Sequence, residues 1–201
     1  MRLIAIVAVA ILLAGCAAQR PQMTRAQYLE MTQRTYADKS PDDVFAAAEK
    51  LFRLADGDDF SFSHSEDSMV ATRPWLVYVI LAATMGTDSW TVRARETAAG
   101  ANVHVALNTS MGNVLPIPTT GGDMTVGGMP SMAGNVQGTA IYDVFWARMD
   151  YLLGKTDHWM TCKEADERVK TKVTWGSNEA LCNSVNLKDE LPEGLRPKEG
   201  T

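Results

Sequence analysis

Residues 90–107 read WTVRARETAAGANVHVAL. Trp90, Val92 and Ala94 fall on one side of an extended chain, and Thr91, Arg93 and Arg95 on the other. Ala98-Ala99-Gly100 supplies a turn. After it, Val103, Val105 and Leu107 alternate with Asn102, His104 and Ala106. Strict alternation on both arms of a turn marks a β-hairpin with one face on a core and one in water. This hairpin sets the fold class, because what flanks it is helical.

Upstream, Ser40-Pro41-Asp42-Asp43 is a helix start: an N-cap serine, a proline in the first turn and two acids at the positive end of the dipole. Val44, Ala47, Ala48, Leu51 and Leu54 keep helical spacing, and Asp56-Gly57 stops the helix near residue 55. Downstream, Thr139 is placed to cap a second helix. Its apolar face is Ile141, Val144, Phe145, Met149, Leu152 and Leu153, and Gly154 ends it. Between the first helix and the hairpin, Phe60 and Phe62 alternate with serines, and residues 69–73 read as a further strand closed by Pro74. The order predicts an α+β domain over 41–154, an antiparallel sheet with two main helices on one face.

Two stretches resist a periodic reading. Trp75 to Met85 (WLVYVILAATM) is a continuous apolar run that fits a strand or a helix. It reads as a buried core segment, with a membrane-dipping segment as the second reading. Residues 110–138 are rich in Gly, Pro and Thr and predict a long loop, with a short strand at Met124-Thr125-Val126.

The chain starts MRLIAIVAVAILLAGC. Arg2 precedes an apolar run over Leu3–Leu13, too short for a spanning helix, which needs about 20 apolar residues. Leu13-Ala14-Gly15-Cys16 resembles the lipobox of bacterial lipoproteins. That resemblance implies a signal peptide over 1–15 and a diacylglycerol on the Cys16 thiol. It also implies an acyl chain such as palmitate on the freed amine of Cys16. Ala17 stands where Asp is the common inner-membrane signal, which implies an outer-membrane, periplasm-facing or surface-exposed protein of a Gram-negative envelope. Residues 16–40 then serve as a lipidated tether, with Thr24 capping a short helix over Tyr28–Tyr36. The element order over 41–153, together with the lipobox, is similar to the helix-grip domains of BamC-like outer-membrane assembly lipoproteins.

Cys162 and Cys182 remain for a disulfide in an oxidising compartment, bounding a C-terminal region over 155–201 whose end is charged and polar. A net charge of −5 without a Lys/Arg cluster argues against nucleic acid as a partner.

No signature of chemistry stands out. Gly154-Lys155-Thr156 ends like a phosphate loop, but Met149 stands where that motif needs glycine. His64 is expected on the core side with Phe60 and Phe62, and His104 on the solvent side, so the two cannot share a metal. His158 lies far along the chain. Met111, Met124, Met129 and Met132 could offer thioethers to copper but follow no repeat. Glu66 and Asp67 read as solvated turn acids. The sequence therefore predicts no cofactor and no enzyme, but an interaction or scaffold module held at the membrane through Cys16, with an envelope protein as partner. The alternative is a carrier of a small apolar ligand, lined by Trp75, Tyr78, Trp90, Phe145 and Trp146.

Overall fold

In the computed structural model the described residues are 23–56, 59–79, 82–118, 124–128 and 132–182. Strands β4 (Ala82–Thr97) and β5 (Gly100–Pro118) form the centre of the sheet and contain the hairpin. Trp90 pairs with Leu107, Val92 with Val105 and Ala94 with Val103, and all six side chains are buried. Gly100 turns the chain at φ +106°, and a Cβ there would overlap the Tyr36 carbonyl oxygen, so glycine is required twice over.

Strand β3 (Ser68–Val79) pairs with β4, and β2 (Ser61–Ser65) pairs with β3. On its other side β5 is edged in turn by three short strands: β1 (Gln33–Tyr36), β7 (Met132–Asn135) and β6 (Met124–Gly128). All pairings are antiparallel.

Helices α2 (Pro41–Asp56) and α3 (Thr139–Leu152) pack on the face that carries Trp90 and Val92. Ser40 caps α2 reciprocally: Asp43 N–H donates to Ser40 Oγ at 3.2 Å, and Ser40 N–H donates to Asp43 Oδ2 at 2.9 Å. The Ser40 N–H, and then the Ser40 hydroxyl that donates to Asp43 Oδ2 at 2.8 Å, hold the Asp43 carboxyl below its usual range. Val44, Ala48, Leu51 and Phe52 are buried from α2; Ile141, Val144, Phe145 and Met149 are buried from α3. The rings interlock, Trp90 stacking on Phe145 at 5.3 Å and meeting Phe52 at 5.5 Å. The architecture is α+β, with a Cys162–Cys182 disulfide tying the C-terminal segment.

Several local expectations are corrected. Residues 24–36 split: α1 (Arg25–Thr32) is capped by Thr24, but Gln33–Tyr36 is strand β1, where Tyr36 is buried. The latter half of the expected tether is thus part of the folded body. Thr139 is the first residue of α3 rather than its cap; Gly138 is the cap, and Thr139 Oγ1 accepts from Trp175 N–H at 2.9 Å. The described parts of 110–138 are largely strand, because β6 and β7 fold back along the edge of β5. Trp75–Met85 is no core segment: its described residues are the end of β3 and the start of β4, and Tyr78 is 77% exposed. His64 is half exposed at the end of β2, 3.2 Å from Glu49. The expected tail carries α4 (Cys162–Lys170), and Met160, Ala165, Ala180 and Leu181 join the core.

A candidate contact surface on the sheet extension

As far as Arg73 and Asp88 the sheet has two unlike faces. Met69, Ala71, Trp90, Val92, Val105 and Leu107 lie buried beneath the helices. The alternate positions form the opposite face and are mostly polar, among them Thr72, Ser89, Thr91, Arg93, Asn102 and His104, with Val70 and Ala106 beside Thr91. Beyond that point the strands run on past the helices and the polar face ends. Leu76 pairs with Met85 and Tyr78 with Ala83, which places these four on the continuation of the polar face. Trp75, Val77, Thr84 and Met111 continue the core face. Leu76, Val77, Met85 and Met111 are each about half exposed, so both faces of the extension present apolar side chains to the surface.

The extension carries almost no charge. Pro74–Thr87 contains no Asp, Glu, Lys or Arg, and from Val105 to Tyr142 the one such residue is Asp123. Monomeric proteins seldom expose contiguous apolar surface of this kind, and where they do it marks an interaction site. Among the described residues no helix is long and apolar enough to cross a membrane, which says nothing of strands.

A buried ionic cluster anchors the extension at its root. Arg73 and Asp88 face each other across β3 and β4. Arg73 donates to Asp56 Oδ2 at 2.5 Å, to Asp88 Oδ2 at 2.9 Å and to the Glu179 carbonyl at 3.4 Å. Thr109 Oγ1 donates to Asp88 Oδ1 at 2.9 Å, so β5 joins the same cluster. The three charged side chains are each at least 94% buried, which makes the pairing obligatory. One cluster thus links α2, three strands and the C-terminal segment where the sheet leaves the core.

A second buried arginine holds the C-terminal segment. Arg148 on α3 donates to the carbonyls of Met160 and Leu181, each at 3.1 Å. Its guanidinium also touches Cys162 Sγ and Cys182 Sγ and lies 4.8 Å from the centre of the Trp159 ring. Alongside, a groove of about 430 Å³ runs between α1, α3 and the Thr174–Trp175 segment, lined in part by Met23, Arg34, Tyr142 and Trp146. Tyr142 ties that groove to the extension. Its hydroxyl accepts from Leu107 N–H at 3.2 Å and donates to the Val136 carbonyl at 3.0 Å, and burial pushes its pKa up.

The residues singled out in the sequence separate into three places. Trp90, Phe145 and Trp146 pack together in the core, at most 2% exposed. Trp75 and Tyr78 lie on the extension, outside that cluster. Cys162 and Cys182 are bonded, with Cα atoms 5.5 Å apart. Cys16 and the leader lie outside the described residues. The histidines do not meet: His64 sits beside Glu49, His158 is 2.8 Å from Glu164, and His104 is on β5. Glu66 and Asp67 form the β2–β3 turn, with Asp67 3.2 Å from Arg95.

Sequence reasoning missed Arg73, Asp88 and Arg148. A signal was present, since Arg73 falls in phase with Met69 and Ala71, and Asp88 with Trp90 and Val92. A charge at a core-facing position calls for a buried partner. Searches against protein-family models, curated proteins and solved structures found no match to this chain.

Proposed function

We propose that the protein is a lipid-anchored lipoprotein of the Gram-negative outer membrane. In this reading it acts as a non-catalytic interaction or scaffold module and makes its contacts through the sheet extension. The observation that carries the reading is the extension itself, uncharged and apolar on both faces beyond the Arg73 cluster. The anchor rests on Leu13-Ala14-Gly15-Cys16, and the outer-membrane address on Ala17. An acidic body gains little from anionic lipid by charge alone, so covalent attachment supplies the membrane affinity.

The carrier reading is less favoured. Its five aromatic residues do not line one space: three pack against each other and two lie on the extension.

Fractionation in a Gram-negative host tests the anchor. The full chain is expected in the outer-membrane fraction, to incorporate a clickable palmitate analogue, and to resist salt extraction. Cys16→Ser is expected to lose the label and leave that fraction. Equal labelling and equal fractionation of the two forms would remove the proposal.

A further inference from the structure

We propose that the charge-free sheet extension inserts into the interfacial layer of a lipid bilayer, with Leu76, Tyr78 and Met85 entering the hydrocarbon boundary. The inference deepens the reading above, on which it rests for the membrane's proximity.

Three observations select lipid as the occupant. First, the polarity of one sheet face switches along its length: Thr72, Ser89 and Thr91 give way to Leu76, Tyr78, Ala83 and Met85. A continuous apolar run signals burial on both faces, yet α2 and α3 leave Val77 half exposed on one face and Leu76 and Tyr78 exposed on the other. Hydrocarbon solvates both faces of a slab at once, whereas a protein partner would have to wrap it. Second, charge is segregated. Arg93, Arg95 and Glu96 lie toward the opposite end of β4, and Arg73 and Asp88 are consumed by their buried cluster.

Third, the chain joins the body at the root of the extension. Met23 lines the groove beside Thr139 and Tyr142. Tyr142 is bonded to Leu107, and the β5–β7 pairing begins at Asn108. Six residues lie between Cys16 and Met23, so a lipid on Cys16 holds Met23, across the groove from that root, within about 25 Å of the bilayer.

The depth is limited by the backbone. Among the described residues, β3 beyond Thr72 and β6 each pair on one side only. Open strand edges are not tolerated in the hydrocarbon centre, so the extension rests where headgroups and water still reach those edges. Trp75 and Tyr78 are residue types favoured at that depth.

The test uses the mature chain, residues 16–201, carrying Cys16→Ser, which removes both the lipid and the apolar leader from the measurement. An environment-sensitive dye is placed through Tyr78→Cys, and through Glu96→Cys as a control, and neutral phosphatidylcholine vesicles are added. Emission from position 78 is expected to rise several-fold and shift to the blue, equally at low and high salt, while position 96 stays unchanged. Leu76→Asp with Met85→Asp should lower vesicle co-flotation about tenfold with an unchanged thermal melt, since two apolar side chains leave the lipid. An unchanged spectrum at position 78 would overturn the inference. So would a rise that follows protein concentration without vesicles, which would mean that a second copy covers the surface. Palmitate labelling at Cys16 stands or falls independently of these outcomes.

Discussion

The indole of Trp75 lies across Gly86 in the neighbouring strand, filling the space that a side chain at Gly86 would occupy. A Cβ there would overlap both Trp75 Cζ2 and the Ser110 carbonyl oxygen. The aromatic ring thus seals β3 over β4 and β5 where the sheet leaves its helices. Gly86→Ala forces the indole aside and presses on a backbone atom that cannot yield. The expected cost is about 1–3 kcal/mol, concentrated in the extension. Hydrogen exchange should show faster exchange over 75–86 and little change at Val92 or Val105. Uniform acceleration, or none, would refute the local role of this contact.

Arg73 carries a larger share of the fold. Arg73→Ala leaves Asp56 and Asp88 buried without their shared cation, and breaking one partner of a buried pair costs about 3–5 kcal/mol. Asp56→Asn with Asp88→Asn in the same chain should recover most of that loss, because two neutral amides no longer need a charge. Chemical denaturation of the three forms makes this measurable. An Arg73→Ala loss below about 1 kcal/mol, the value of an exposed pair, would mean that the cluster does not anchor the extension.

The disulfide and Arg148 act on one segment. Closing the 20-residue separation between Cys162 and Cys182 contributes about 3 kcal/mol in the chain-entropy view. Cys162→Ser with Cys182→Ser is expected to lower stability by that order and to raise exchange at Ala180 and Leu181, which pack on the core. The sheet should keep its exchange pattern. Loss of protection at Trp90 and Leu107 instead would show that the segment is needed to form the whole core.

His104 gives the fold a pH dependence of known sign. It lies opposite Arg93, and partial burial, then the Arg93 charge, hold its pKa below the ordinary 6.5. The unfolded chain therefore binds this proton more readily than the folded one. Its contribution to stability is present above pH 6.5 and is lost as pH falls from there through the folded value. His104→Asn should flatten that part of the stability profile. An imidazole midpoint at or above 6.5 in an NMR titration would contradict the assignment.

How far the sequence discloses this structure depends on what buries each element. The 90–107 hairpin is legible because its two faces meet unlike surroundings, core and water, so Val and Trp alternate with Arg and Asn. The two long helices are legible from their end signals and apolar stripes. Trp75–Met85 is not, since an apolar run implies cover and the described helices do not reach that far. Residues 110–138 mislead for another reason: Gly and Pro carry weak strand propensity, and β6 and β7 form because β5 offers them an edge. Gln33–Tyr36 is recruited the same way. Of the candidate site, Trp75 and Tyr78 are legible as aromatic residues but not as surface ones. Arg73 and Asp88 were readable only as charges out of place in an apolar phase.

The intact mass of the chain, extracted with detergent from the outer membrane of a Gram-negative host, decides whether Cys16 is lipidated. The expected species begins at Cys16 and exceeds the mass of its residues by a diacylglycerol and one further acyl chain. A species of unmodified mass, or one beginning at any other residue, would mean that Cys16 carries no anchor.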